Sequence, residues 1–208
     1  MEPTAADSDT VFSSRFNRVL AIVIWALALV MVTTTVLAGG ASGAFALVPG
    51  AFFAVFAWTA LWRPHVRVSD AGVRICNVFR TIDIPWAALI QVDTRYALTL
   101  YTPGHQFAAW AAPAPGRTGT NIARRAQQSG RVGGGPTVDG AVRPGDLLAS
   151  ESGQAAHLVR ERWHALLESG AVEVGAAEDT PVHVHWHGYT IVALLALGAG
   201  ALVALVAL

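Results

Sequence analysis

The stretch HVRVSDAGVRICNVFRTIDIP, residues 65–85, decides the fold of the polar part of this chain. Alternating apolar and polar residues are typical of a β-strand that buries one face. Three such alternations follow one another, at Val66 and Val68, Val73 and Ile75, and Ile82 and Ile84. The first two are separated by Ser-Asp-Ala-Gly, which is a turn signal. The stretch therefore predicts short antiparallel strands joined by tight turns.

Further strand signals follow at once. They are ALIQVDTRY (residues 88–96), ALTLY (97–101) and, after the turn sequence Thr-Pro-Gly-His, QFAAW (106–110). Residues 65–110 therefore predict about six short strands in an antiparallel meander.

Residues 151–169, ESGQAAHLVRERWHALLES, predict an amphipathic helix. Ser150 or Ser152 is suited to cap its start, and Gly170 is suited to its end. The apolar stripe of this helix needs a partner, so we expect the helix to close one end of a β-barrel or sandwich. The stripe consists of Ala156, Val159, Trp163 and Leu166.

Residues 111–149 form an insert rich in proline and glycine that shows no periodicity apart from a possible short helix over residues 121–128. The insert is locally basic, and anionic lipid attracts such segments by about 1 kcal/mol per basic residue near the surface. A solvated insert without a partner is the alternative. The arginines predicted to contact lipid headgroups or a partner are Arg117, Arg124, Arg125 and Arg131.

The rest of the chain is strongly apolar. Of its 208 residues, 53% are hydrophobic and 13% are charged, whereas about 25% are charged in soluble domains. The excess lies in residues 19–38, 44–62 and 189–208, which are each long enough, at about 20 residues, to cross a bilayer as a helix. We predict three transmembrane helices. A cleaved signal peptide ending at Ala38 is an alternative for the first block, but its apolar core is longer than usual.

The arginines predict the orientation, because cytoplasmic flanks of membrane helices keep positive charge. Arg15 and Arg18 precede the first block and Arg63 and Arg67 follow the second, while the intervening GGASG is uncharged. We therefore expect a multi-pass protein of the plasma membrane with a cytosolic N-terminus and a cytosolic segment 63–188. The C-terminus is expected outside.

Aromatic residues flank the same ends of the apolar blocks. Trp58, Trp62, Trp186 and Tyr189 fall where rings anchor a helix at the membrane interface. They are predicted to be interfacial anchors.

VHVHWH, residues 182–187, places three histidines on alternate positions. His183, His185 and His187 could form a metal-binding face, with Glu178 or Asp179 as a further ligand. The alternative needs no metal, since a strand that pairs with the sheet or lies on the membrane accounts for the same pattern. A single strand rarely completes a tetrahedral site, so we favour that alternative and predict no metal or other cofactor.

The sequence contains no recognisable active site. Gly-x-Ser-x-Gly is absent, and Gly133-Gly-Gly-Pro lacks the residues of a phosphate-binding loop. Cys76 is the single cysteine and reads as a small buried apolar residue. The formal net charge of zero predicts no nucleic-acid partner. We expect a protein that is not an enzyme.

The order of several strands and one C-terminal helix resembles the bacterial pleckstrin-homology (PH-like) families. The resemblance covers roughly residues 45–170. It is carried by residues 66–75, 84–92 and 98–107 and by the helix at 151–169. In particular, the chain looks like the actinobacterial membrane-anchored group related to low-molecular-weight antigen 6.

Eukaryotic PH domains often bind phosphoinositides through a basic strand and loop, and Arg67, Arg74 and Arg80 lie in comparable strands. The chain has no lysine-rich first loop, so the resemblance does not imply that activity.

These observations predict an α+β membrane protein. Its parts are an N-terminal tail (1–18), a transmembrane hairpin (19–62), a PH-like domain (63–170), a juxtamembrane linker (171–188) and a third transmembrane helix (189–208). The predicted partners are the lipid bilayer, a membrane or peripheral protein and anionic lipid. We expect a non-enzymatic membrane protein that presents the PH-like domain at the inner leaflet for partner binding, scaffolding or regulation. The alternatives are an accessory subunit of a respiratory or envelope-transport complex and a metal sensor that uses the three histidines.

Overall fold

The computed structural model of the chain describes residues 9–39, 47–115, 146–148, 150–172, 175 and 177–206. They divide into two compact units. The sandwich unit contains the residues up to Ser13 together with 65–76 and 81–185. The helical unit contains residues 14–64, 77–80 and those from Trp186 onward.

The strands form two antiparallel sheets, with orders β1-β2-β3-β4-β8 and β5-β6-β7. The six predicted strands are present, as β2 to β7. The strands are β1 Thr10–Phe12, β2 His65–Val68, β3 Gly72–Cys76, β4 Arg80–Pro85, β5 Gln91–Asp93, β6 Ala97–Thr102, β7 His105–Pro113 and β8 His183–Trp186.

Within the described residues, the sheets remain separate and do not close into a barrel, so only the sandwich form of the prediction agrees with the structure. The change of sheet occurs at Pro85, the last residue of β4. Proline has no N–H group with which to continue a ladder. The 3₁₀ turn Trp86–Ala88 then leads the chain to β5 in the second sheet.

The core lies between the sheets and is built from the alternating residues that the sequence pattern indicated. Ile75, Ile82, Leu98 and Leu100 are fully buried. Since burying one such side chain contributes about 1.5–3 kcal/mol, these positions account for much of the stability of the sandwich. The others in this core include Val66, Val68, Val73, Ile84, Trp86, Phe107, Ala155, Ala156 and Val159.

The predicted amphipathic helix is confirmed as α3, Glu151–Glu168. Ser150 is its N-cap, and its hydroxyl accepts a hydrogen bond from the Gly153 N–H at 3.0 Å. At the other end, Gly170 has φ +71°, and its N–H and that of the next residue donate to the Leu167 and Leu166 carbonyls. This is the Schellman arrangement that ends many helices.

The helical unit consists of α1 (Arg15–Gly39), α2 (Leu47–Ala57) with a π-helical turn at Trp58–Trp62, and α4 (Gly188–Val206). Helix α2 packs against both α1 and α4. Glycines permit the close approach. A Cβ atom added at Gly50 would lie 2.4 Å from Val32 of α1, and one at Gly200 would lie 3.1 Å from Val48 of α2.

Among the described residues, one helix, Arg15–Ala38, is long and apolar enough to cross a membrane. Much of its apolar surface is exposed, for example at Leu29 and Leu37. The apolar helices Leu47–Trp62 and Gly188–Ala204 are shorter. The blocks predicted as the second and third spans extend into residues 40–46 and 207–208, which lie outside the described part of the chain.

Some elements lie in segments predicted as tail, insert or linker. Strand β1 lies in the tail and β8 in the linker, while β7 extends to Pro113. Three of the connections between strands and helices are short. Ser13 and Ser14 join β1 to α1, Arg63 and Pro64 join the π-helical turn to β2, and His187 alone joins β8 to α4.

Candidate functional site

A row of charged side chains crosses the five-stranded sheet on the side opposite the buried valines and isoleucines. Arg67 of β2 is paired with Arg74 of β3, and Arg74 is paired with Asp83 of β4. Arg74 Nε donates to Asp83 Oδ1. At the ends of the row, Asp9 Oδ2 lies 3.4 Å from Arg67 Nη1, and His185 Nε2 lies 3.8 Å from Asp83 Oδ2. We call these five residues the charge row.

The charges of the row are not evenly balanced along its length. Asp83 raises the pKa of Arg74, mainly by accepting its hydrogen bond and also through its charge, while burial opposes the effect. Arg67 and Arg74 stand directly opposite each other, an arrangement that costs free energy for like charges. Within the described residues, the buried Arg67 Nε has no hydrogen-bond partner. Asp9 and Asp83 each lie beside one of the two arginines and offset part of the cost of this like-charge pair.

An open depression with a volume of about 480 Å³ lies beside the charge row. It is lined by four members of the row and by residues 69–73, 84 and 85. The four are Asp9, Arg67, Arg74 and Asp83. The β2–β3 turn, residues 69–72, is held from two sides. Trp86 Nε1 donates to the Ser69 carbonyl at 2.9 Å, and Arg162 of α3 donates to Asp70. The depression therefore has a fixed rim, suited to recognising a polar group.

The three histidines of the VHVHWH stretch are not brought together as a metal site. His183 and His185 lie on β8, which is exposed and pairs with β4. His187 lies beyond the end of β8, and its N–H donates to the Phe79 carbonyl at 2.8 Å. The described residues contain no group of three or more His, Cys, Asp or Glu side chains that could hold a metal ion. The favoured alternative was a strand that pairs with the sheet or lies on the membrane, and β8 pairs with the sheet. Contact with the membrane stays a prediction.

His187 has a perturbed environment in the helical unit. Its pKa is lowered, first by burial and then by the charge of Arg63, although a backbone hydrogen bond at Val78 opposes the shift. The Nδ1 atom of His187 lies 3.4 Å from the Val78 carbonyl oxygen. The neutral imidazole is therefore the form that the folded chain favours.

Acidification is expected to loosen the region around His187. Because its folded-state pKa lies below the ordinary value of about 6.5, the unfolded chain binds the proton more readily, and stability falls as the pH decreases through that value. Above about pH 7 this contribution should be constant. Hydrogen exchange of residues 78–80 and 187–191 in detergent, at pH 7.5 and 5.5, measures the effect.

The control for this experiment is His164→Gln on α3, which should keep the pH dependence, whereas His187→Gln should remove it. An unchanged acid response in His187→Gln would show that other groups cause it.

The predicted interfacial residues lie together at one end of the helical unit. Trp58, Trp62, Trp186 and Tyr189 are all exposed. Their placement is suited to anchoring at a membrane interface, which stays a prediction. The arginines predicted to contact lipid or a partner, Arg117, Arg124, Arg125 and Arg131, lie outside the described residues, as does the possible helix at 121–128.

Cys76 is buried in β3, as expected for a small apolar residue. Asp146, near the end of the predicted insert, has a structural position instead. It accepts hydrogen bonds from Thr94 Oγ1 at 2.8 Å and from Arg160 Nη1 at 2.9 Å. These contacts tie the segment before α3 to β5 and to the helix itself.

Two antiparallel sheets packed around one core, followed by a C-terminal helix, define the class of PH-like domains. Residues 63–147 match the family described as "Bacterial PH domain". The chain therefore carries a bacterial PH-like domain, as its resemblance to the PH-like families implied. The match spans the six strands β2 to β7 and ends before α3. No curated protein and no solved structure matches the chain.

The charge row was not predicted from the sequence, although a signal for it was present. A tight turn at residues 69–72 places Val68 opposite Val73 and therefore Arg67 opposite Arg74. Following this register one strand further brings Asp83 opposite Arg74. The register of these short hairpins therefore indicates which charged residues are aligned across the sheet, whereas local motifs do not.

Proposed function

We propose that this protein is a membrane-anchored binding module without enzymatic activity, whose PH-like domain binds a polar segment of a partner protein at the inner leaflet. One observation carries the proposal. Arg67 and Arg74 stand side by side on the sheet, and the buried Arg67 Nε lacks a hydrogen-bond partner in the described residues, next to an open depression. A backbone carbonyl or another hydrogen-bond acceptor of the partner that enters the depression would receive charge-assisted hydrogen bonds from these arginines.

The proposed anchor consists of α1, α2 and α4 as three membrane helices, with the N-terminus and the PH-like domain in the cytosol and the C-terminus outside. Arg15 and Arg18 at the start of α1 and Arg63 beyond α2 support this orientation through the positive-inside rule. The apolar residues that α1 exposes are suited to lipid contact. Proteolysis of intact cells and of inverted vesicles tests the orientation, because only the inverted vesicles should expose the sandwich unit.

The binding proposal is tested by recovering partners from native membranes in mild detergent. The variant Arg67→Ser/Arg74→Ser is expected to reduce recovery of the specific partner about tenfold, because a hydrogen bond to a charged group contributes about 1.5–3 kcal/mol. Quantitative mass spectrometry measures the recovery. Arg95→Ser is the control, since Arg95 is exposed and stacks over Tyr96 away from the charge row. An equal loss of partner recovery in the Arg95→Ser control would show that the partner is bound by non-specific charge attraction.

A second candidate function is that of an accessory subunit held in a larger membrane complex by its helices. It is favoured by the long apolar side chains of α1 that remain exposed, such as Leu27, Leu29 and Leu37. Association that survives the double arginine substitution would favour this function over binding through the charge row.

A further inference from the structure

The charges of the helical unit all have one sign. Residues 14–64, 77–80 and 186–208 contain four arginines and no aspartate or glutamate. Charge of one sign attracts anions to the surface that carries it. The arginines are Arg15, Arg18, Arg63 and Arg80.

Contacts place three of these arginines at one end of the unit. Arg18, in the first turn of α1, lies over the ring of Trp62 at 5.4 Å. Arg63, which follows Trp62 in the sequence, donates to Thr190 Oγ1 of α4 at 3.1 Å. Arg80 lies over the ring of Trp186, just before α4, at 5.6 Å. The start of α1, the end of the π-helical turn and the start of α4 therefore share one basic end.

A cavity of about 610 Å³ opens at this basic end. Arg63, residues 186–190 and Val192 line it, and none of these residues is acidic. The guanidinium of Arg63 is held in place by Thr190 and by the Trp58 ring at 5.8 Å. Trp186 and Tyr189 are 65% and 96% exposed, so broad aromatic surfaces flank the opening.

This combination matches the two parts of a phospholipid. A guanidinium pairs with phosphate oxygens in a planar geometry. Aromatic rings and apolar helix surface suit the glycerol region and the first methylenes of the acyl chains. His187 also lines the cavity, and its pKa is lowered first by burial and to a smaller extent by the charge of Arg63.

We propose that this cavity binds the phosphate group of an anionic phospholipid, with Arg63 as its cationic contact and the Thr190 hydroxyl as a second polar contact. The proposal rests on the membrane anchoring proposed above and adds a defined lipid site to it. The bound lipid would neutralise charge at the basic end and join α2 to α4.

The test uses the full chain in an uncharged detergent, titrated with phosphatidylglycerol or phosphatidylcholine of matched acyl chains and followed by native mass spectrometry. We expect phosphatidylglycerol to bind about fivefold more tightly, and Arg63→Gln to remove that preference, since one basic residue near a lipid surface is worth about this factor. Thr190→Val should weaken binding less. Arg95→Gln makes the same charge change in the sandwich unit and should have no effect.

Three results would overturn the lipid site. They are equal binding of both lipids, the same loss in Arg95→Gln as in Arg63→Gln, and displacement of phosphatidylglycerol by millimolar inorganic phosphate, which would mark a site for free phosphate. Alkaline carbonate extraction of membranes tests the anchor separately. Arg63→Gln should stay in the membrane fraction, so failure of the lipid site and failure of the anchoring are distinguishable.

Discussion

Replacing Trp86 with alanine is expected to lower the free energy of unfolding of the sandwich unit by about 4 kcal/mol, because it removes a large buried ring and leaves a cavity. Trp86 is 3% exposed and lies in the 3₁₀ turn at which the chain changes sheets. Its Nε1 also donates to the Ser69 carbonyl at 2.9 Å. The substitution therefore removes core packing and frees the β2–β3 turn that borders the charge row.

Hydrogen exchange of the β3 and β4 amides in the full chain, combined with urea unfolding in detergent, measures this loss. Trp86→Phe should keep most of the packing and lose about 1 kcal/mol for the hydrogen bond, plus a smaller packing loss. The control is Trp110→Ala, since Trp110 is 56% exposed on β7, and surface substitutions usually change stability by less than about 0.5 kcal/mol. Similar losses at the two tryptophans would contradict the assigned role of Trp86.

Gly72→Ala is expected to destabilise the first sheet by about 3 kcal/mol, the upper range for forcing extra volume into a packed position. Gly72 begins β3 with φ +155° and is paired with Pro85. A Cβ atom there would lie 2.3 Å from the Ile84 carbonyl oxygen and 2.9 Å from Pro85 Cα. Both are backbone atoms, so the collision is relieved only by separating the two strands.

Gly104→Ala provides the matched control for this prediction. Gly104 lies between β6 and β7 with φ +70°, and an added Cβ would meet no atom within 4 Å. Gly104→Ala should lower the free energy of unfolding by about 1 kcal/mol, from backbone strain alone. The difference between the two variants, measured by urea unfolding, isolates the collision with β4. A Gly72 variant as stable as the Gly104 variant would show that the strands separate at little cost.

Strong local patterns allowed much of the sandwich to be predicted from the sequence. Residues 65–85 alternate cleanly, and α3 has a periodic stripe with a serine at its start and a glycine at its end. Strand β1, Thr10–Phe12, was not predicted, because three residues carry too little periodicity and their partner, β2, lies more than fifty residues away. Long-range pairing of this kind leaves no local signal.

The candidate site was harder to predict for a related reason. Each of its charges looks like an ordinary solvated residue within its own strand. Only the pairing of β2 with β3 and of β3 with β4 sets Arg67, Arg74 and Asp83 in one line. The VHVHWH stretch shows the reverse case, since its regular spacing suggested a metal face while the structure uses it as the edge strand β8.

The one- and two-residue junctions at Ser13–Ser14, Arg63–Pro64 and His187 leave little chain between each strand and the helix next to it in sequence. Two residues span at most about 7 Å, so these junctions are too short to act as flexible linkers. In the proposed membrane setting, encounters would be confined to a thin layer and governed by lateral diffusion. A partner already resident in the membrane would then have a higher local concentration than a soluble competitor of equal affinity.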